Sequence, residues 1–98
     1  MSNCISQIYL SDYNADLPKF LRNSTSSIAK NFKDHDYTIY NNDQLRYFIR
    51  NNYSSDVLWS YDCLRPYSYK SDLGRFCLLY KKGGWYFDIA ITSILNLD

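Results

Sequence analysis

Cysteine and histidine are scarce in this chain, and no charge sign dominates it. Each shortage removes a class of explanation. The three cysteines, Cys4, Cys63 and Cys77, make an odd count with no CxxC spacing. That argues against a disulfide framework or a thiolate zinc site, and a reducing compartment is the simpler expectation. The single His35 lies in the polar stretch Lys33-Asp34-His35-Asp36. With no second imidazole nearby, it is expected in a solvated loop rather than on a metal. Eleven basic residues face ten acidic ones, for a formal net charge of +1, and no basic cluster exceeds Lys81-Lys82. Nucleic acid is therefore not an expected partner. No apolar run approaches the ~20 residues of a spanning helix. The N-terminus has no apolar signal core. A cytoplasmic protein, at most peripheral to a membrane, is expected. Repeats, low-complexity segments and linkers are also missing.

What is present reads as one domain. The chain has 98 residues, of which 46% are hydrophobic, a globular composition that argues against disorder. Residues 4 to 10, CISQIYL, read as a first strand. Asp16 is a plausible N-cap, with Pro18 in the first turn of a helix running to about Asn31. Leu17, Leu21, Ser24, Ile28 and Phe32 recur along it at helical spacing. Residues 37 to 40, YTIY, make a second strand. Asn42 or Asp43 can cap a helix with the stripe Leu45, Phe48 and Ile49. Ser55 or Asp56 can cap another, with Val57, Leu58, Tyr61 and Leu64 inward, and Pro66 ends it or begins the next. Residues 67 to 82 read as a helix burying Leu73, Phe76, Cys77 and Tyr80, with Gly83 as its stop. Residues 85 to 91 read as the last strand. The order β-α-β-α-α-α-β predicts a parallel sheet covered by helices. Ligands of such sheets sit at the carboxyl ends of strands, here residues 9 to 13 and 87 to 92.

Within the last strand stands a lone carboxylate, in KKGGWYFDIAITS. Alternation places Tyr86, Asp88 and Ala90 on one face and Trp85, Phe87, Ile89 and Ile91 on the other. A carboxylate buried there is costly unless something pairs with it. On the preceding helix Asp72 and Arg75 are three apart and share a face, with Gly74 between them. Only Gly83 and Gly84 separate helix from strand, so Asp72, Arg75 and Asp88 can converge on one cleft. The planar fork of arginine suits a diphosphate. Carboxylates suit sugar hydroxyls and a hard divalent cation. Two plainer readings remain open on residue types alone. Asp72 and Arg75 can be a surface ion pair worth little, and Asp88 can pair with Arg75 and do nothing more.

The stretch KSDLGRFCLLYKKGGWYFDIAI, residues 70 to 91, resembles the DxD-containing sugar transferases. These include initiating α-1,6-mannosyltransferases, inositol-phosphoceramide mannosyltransferases and capsular polysaccharide glycosyltransferases. Ser71-Asp72, Arg75, Gly83-Gly84, Tyr86 and Asp88 fall in the family's register. ISQIYL at 5 to 10 is similar to the family's first strand: Gln7 and Ile8 match, while Ser6 and Tyr9 replace a His and a Trp. DYTIYNNDQL at 36 to 45 resembles the second-strand element, with Tyr40 where a Trp is usual.

The resemblance implies a GT-A type, Rossmann-like sheet and transfer of a sugar from a nucleotide-sugar donor to a hydroxyl of a glycan or lipid, with retention at the anomeric carbon. It implies that Asp72 and Arg75 hold the donor sugar and its diphosphate. Asp88 would contact the ribose and the metal shell, and Ile8 and Tyr9 would border the base. Two departures temper this. The motif reads Asp88-Ile89-Ala90, and alanine cannot supply the second ligand to Mn²⁺ or Mg²⁺. Family catalytic domains continue beyond the position of Asp98 and supply the acceptor side. The expectation is thus a single, partial domain, the N-terminal donor-binding part of the fold. A non-catalytic nucleotide-sugar-binding or protein-interaction module of the same fold is the alternative.

Overall fold

The computed structural model describes residues 3–87. The first strand, β1 (Cys4–Ile8), is central and fully buried. It pairs in parallel with β2 (Asp36–Tyr40) on one side and β3 (Trp85–Tyr86) on the other, in the order β2-β1-β3. The predicted parallel sheet is present. The expected continuation of β3 to residue 91 lies outside the described residues.

Among the described residues four α-helices flank the sheet: α1 (Lys19–Asn31), α2 (Asn42–Asn52), α3 (Ser55–Cys63) and α4 (Tyr67–Lys82). The alternation of β1 divides the molecule. Ile8 faces a core made with Leu45 and Ile49 of α2, Tyr61 of α3, and Cys77 and Leu78 of α4. Ile5 and Gln7 point to the opposite face. There Phe32, closing α1, meets the ring of Phe87 at 5.7 Å, and α1 buries Leu21 and Thr25. Tyr61 is wholly buried, and its hydroxyl donates to Asn42 Oδ1 at 2.8 Å, so burying the phenol leaves no orphan.

Several helix boundaries differ from expectation. Pro18, not Asp16, occupies the N-cap of α1, and no side chain caps it. Asn41, not Asn42 or Asp43, caps α2. Its side chain accepts the Gln44 N–H at 2.8 Å, while Gln44 Oε1 accepts the Asn41 N–H at 2.9 Å. This reciprocal box satisfies two donors that the first turn would leave open. Ser54 precedes α3, without a side-chain cap bond. His35 is half-buried rather than solvated, with its ring edge-on to Phe32 at 5.4 Å.

The face of α4 is the largest correction. Phe76 and Tyr80, expected inside, are 65% and 84% exposed; Cys77 is buried as expected, together with Gly74 and Leu78. The reason is Gly74. A β-carbon there would lie 2.5 Å from Leu45 Cδ2 and 3.2 Å from Ile8 Cδ1. The missing side chain lets the helix backbone settle on β1, and that rotates Phe76 and Tyr80 outward. At its end the chain reverses through Gly83 (φ 68°) and Gly84 (φ 78°). A β-carbon on Gly84 would strike the Cys4 carbonyl, so β3 can lie beside β1 only with glycine there.

Candidate functional site

The carboxyl edge of the sheet is fixed by how α4 runs. Its last turn lies by the start of β1, where the Cys4 thiol approaches the Gly83 carbonyl at 3.4 Å. Its middle, at Gly74, touches Ile8, the final residue of β1. The helix is thus antiparallel to the strands, and Asp72 and Arg75 flank the contact at the carboxyl end. The glycine between them is what brings their backbone so close to β1.

Asp72 and Arg75 are near each other but barely joined. Arg75 Nη2 lies 3.8 Å from Asp72 Oδ1, and the side chains are 37% and 64% exposed for Arg75 and Asp72. That separation is too long for a hydrogen bond. Arg46 shows the contrast: it grips Asp62 with two bonds of 2.8 and 2.7 Å, which hold the Asp62 carboxyl below its usual range. The guanidinium of Arg75 rests 5.4 Å from the Phe76 ring centroid. Its fork remains open to an anionic ligand.

The other expected residues divide. Ile8 is 4% exposed and faces Leu45 and Gly74, so its side chain supports the site through packing. Tyr9 is half-buried, and its N–H donates to the Tyr40 carbonyl at 2.9 Å. It lines a mixed polar and apolar cavity of about 200 Å³ with Asn14, Asp16, Leu17, Ile39, Asn41 and Gln44. Asp88, with Ile89 and Ala90, lies outside the described residues.

The loop after β1 carries features that sequence reasoning missed. Tyr13 (φ 60°) and Asn14 (φ 51°) are consecutive left-handed residues. For non-glycine residues this costs about 1–2 kcal/mol each. Two ties hold them. The Tyr67 hydroxyl donates to Asp12, and Asn14 Nδ2 donates to Asp43 Oδ2 at 2.9 Å. The loop is therefore lashed to the starts of α4 and α2, at the edge where α/β sheets bind ligands. Asp12 and Asn14 are residue types that tolerate such turns, which was the available signal.

Among the described residues no group of three or more His, Cys, Asp or Glu side chains could hold a metal ion. Beside Asp72 stands a guanidinium. Nor is any helix among them long and apolar enough to cross a membrane.

Residues 18–98 match the family described as the glycosyltransferase sugar-binding region containing a DXD motif. The chain is also 30% identical, over 95 residues, to an uncharacterized glycosyltransferase of Acanthamoeba polyphaga mimivirus. That match covers 97% of this chain but 38% of the viral protein, so the chain spans well under half of its relative's length. No solved structure matches it.

Proposed function

Because the chain belongs to the family of glycosyltransferase sugar-binding regions containing a DXD motif, we propose that it binds the nucleotide-sugar donor of a sugar transfer to a hydroxyl on a glycan, polysaccharide or lipid. The observation that carries the reading is the open fork of Arg75, held 3.8 Å from Asp72 at the carboxyl edge of β1. An arginine already spent on a bidentate carboxylate could not take up a diphosphate.

In this reading Arg75 binds the diphosphate bidentately and stabilises the charge that grows there as the glycosidic bond breaks. Asp72 accepts hydrogen bonds from donor-sugar hydroxyls and orients the anomeric carbon. Tyr9 and the backbone around Ile8 border the base. Asp88 takes the ribose and, with the donor's own phosphates, would hold a divalent cation, Mn²⁺ or Mg²⁺, which supplies charge neutralisation. Ala90 can add no second carboxylate, so Arg75 carries a larger share of that work. A cytoplasmic location peripheral to a membrane belongs to the same proposal.

The test is a titration of the folded chain with UDP- and GDP-sugars, with and without Mn²⁺. Saturable binding lost in Arg75→Ala supports the reading. A folded sample that binds none of them sinks it. Ala90 favours a second reading, a donor-binding module without catalysis. Hydrolysis of the bound donor by this chain would exclude that alternative.

A further inference from the structure

A second concavity lies one strand away from the Asp72–Arg75 edge. It is a groove of about 490 Å³ between the edge strand β2 and helix α2. That volume falls in the ~300–1,000 Å³ range of small-molecule sites. Two stripes of α2 form its wall. Asp43, Tyr47 and Asn51 are spaced four apart, and so are Gln44, Phe48 and Asn52 beside them. Each stripe places an aromatic ring between two polar groups. The floor is rigid, because Tyr40 is buried and meets Phe48 edge to face at 6.3 Å. Tyr47 stands at the rim, 69% exposed.

The polar groups have capacity left over. Asp43 uses Oδ2 on Asn14, which leaves Oδ1. Gln44 uses Oε1 in the capping box, which leaves its NH₂. Asn52 donates Nδ2 to the Phe48 carbonyl at 2.8 Å, which leaves Oδ1. Among the described residues, the Thr38 hydroxyl and the Asn51 amide have no protein partner. The groove therefore offers both donors and acceptors around aromatic surface.

Charge narrows the ligand. Among the described residues no lysine or arginine lines the groove, and Asp43 is the one charged group there. Lys82 donates to the Tyr40 hydroxyl at 2.6 Å but is not among the lining residues. A phosphate or carboxylate ligand would meet the Asp43 carboxylate directly, with no cation in the described lining to face it. A neutral polyol suits the site. The C–H face of a pyranose lies against an aromatic ring, and its hydroxyls donate and accept together. The groove and the cavity beside Tyr9 share Gln44, so a chain of sugars seated in one runs toward the other.

We propose that the β2–α2 groove is a secondary carbohydrate site that holds a neutral oligosaccharide. Its identification with part of the acceptor rests on the sugar-transfer reading, whereas the binding itself does not. The experiment is NMR titration of the full chain with mannotriose, maltotriose, cellotriose and lactose, reading the side-chain amide signals of Gln44, Asn51 and Asn52. At least one sugar should shift these signals saturably at millimolar concentration. Tyr47→Ala and Asn51→Ala, both at exposed positions, should each weaken that binding about tenfold while leaving the fold intact. A parallel titration with UDP should move Arg75 and Tyr9 signals and be unaffected by either variant. No response to any of the four sugars, or shifts confined to the Arg75 edge, overturns the groove site. Sugar binding in a chain that ignores every nucleotide would keep the groove and remove the donor reading.

Discussion

Gly74 is where one missing side chain decides the most. Two effects oppose each other in Gly74→Ala. Helix propensity favours alanine by about 1 kcal/mol. Against it, the new methyl would meet Leu45 at 2.5 Å and Ile8 at 3.2 Å. Leu45 is wholly buried and cannot swing into solvent. Overpacking of this kind costs about 1–3 kcal/mol, so the clash wins and the net effect is a loss on the order of 1 kcal/mol. Urea melts of Gly74→Ala, Leu45→Val and the double variant test it: the pair should be non-additive, with Leu45→Val relieving part of the alanine penalty. Arg75 is the opposite kind of residue. It is loosely paired and half-buried, so Arg75→Lys should leave stability within about 0.5 kcal/mol. Loss of the planar fork should weaken nucleotide-sugar binding by about 1–3 kcal/mol while the charge stays. Calorimetric titration beside a thermal melt separates the two. A melt that collapses with unchanged binding by the folded fraction would make Arg75 structural.

At the scale of elements, legibility tracked whether a signal was local. The helix at 67–82 was readable to the residue, because Pro66 and Gly83 bracket it and both act through their own backbones. Its inward face was readable only in part, since Leu73 and Cys77 pack inward and Phe76 and Tyr80 do not. Leu73, Phe76, Cys77 and Tyr80 form a sound apolar stripe, yet Gly74 sets the rotation through contacts with β1 and α2 that no periodicity contains. The cap of α2 was misplaced by a residue or two because Asn41, Asn42 and Asp43 are all capable N-caps. Gln44, three residues beyond Asn41, was the discriminating signal, since only that spacing closes the box. Asn41→Ala should therefore cost about 1 kcal/mol. An effect of that size in Asn42→Ala would have a different origin, since Asn42 instead accepts from the buried Tyr61 hydroxyl. Hydrogen exchange distinguishes them. Asn41→Ala should expose amides in the first turn of α2, and Asn42→Ala those around Tyr61 in α3. In the candidate site, Asp72 and Arg75 were legible as a helical pair. The ties from Asp12 to Tyr67 and from Asn14 to Asp43 were not, because they span 55 and 29 residues.

For the whole molecule, burial of tyrosine sets the alkaline limit of stability. Burial pushes the Tyr37 hydroxyl up from 10.0 to about 12. Burial first, and then the Asp62 charge, also raises Tyr61. A folded pKa above the unfolded one means that folding favours the protonated phenol. The contribution is fully present below the unfolded value near 10 and is lost as pH rises toward about 12. After allowance for partial exposure, Tyr37 alone should account for on the order of 1–2 kcal/mol of that loss. The acid limit is weaker. Asp62 is held low chiefly by its hydrogen bonds to Arg46, so its contribution is present above the ordinary carboxylate pKa and fades as pH falls below it, but the pair is solvent-exposed. Tyr37→Phe tests the alkaline limit. Near neutral pH the variant should be less stable by about 1–3 kcal/mol, because the Tyr37 hydroxyl donates to Oε1 of the buried Gln7 amide, whose Nε2 has no partner among the described residues. Between about pH 9 and pH 11, however, its stability should fall more shallowly than that of the parent. Urea melts across that range, with tyrosinate absorbance followed in parallel, give both slopes. Equal slopes would mean that Tyr37 ionises as freely in the folded protein as in the unfolded chain, and that the outer face of β1 beside α1 admits water.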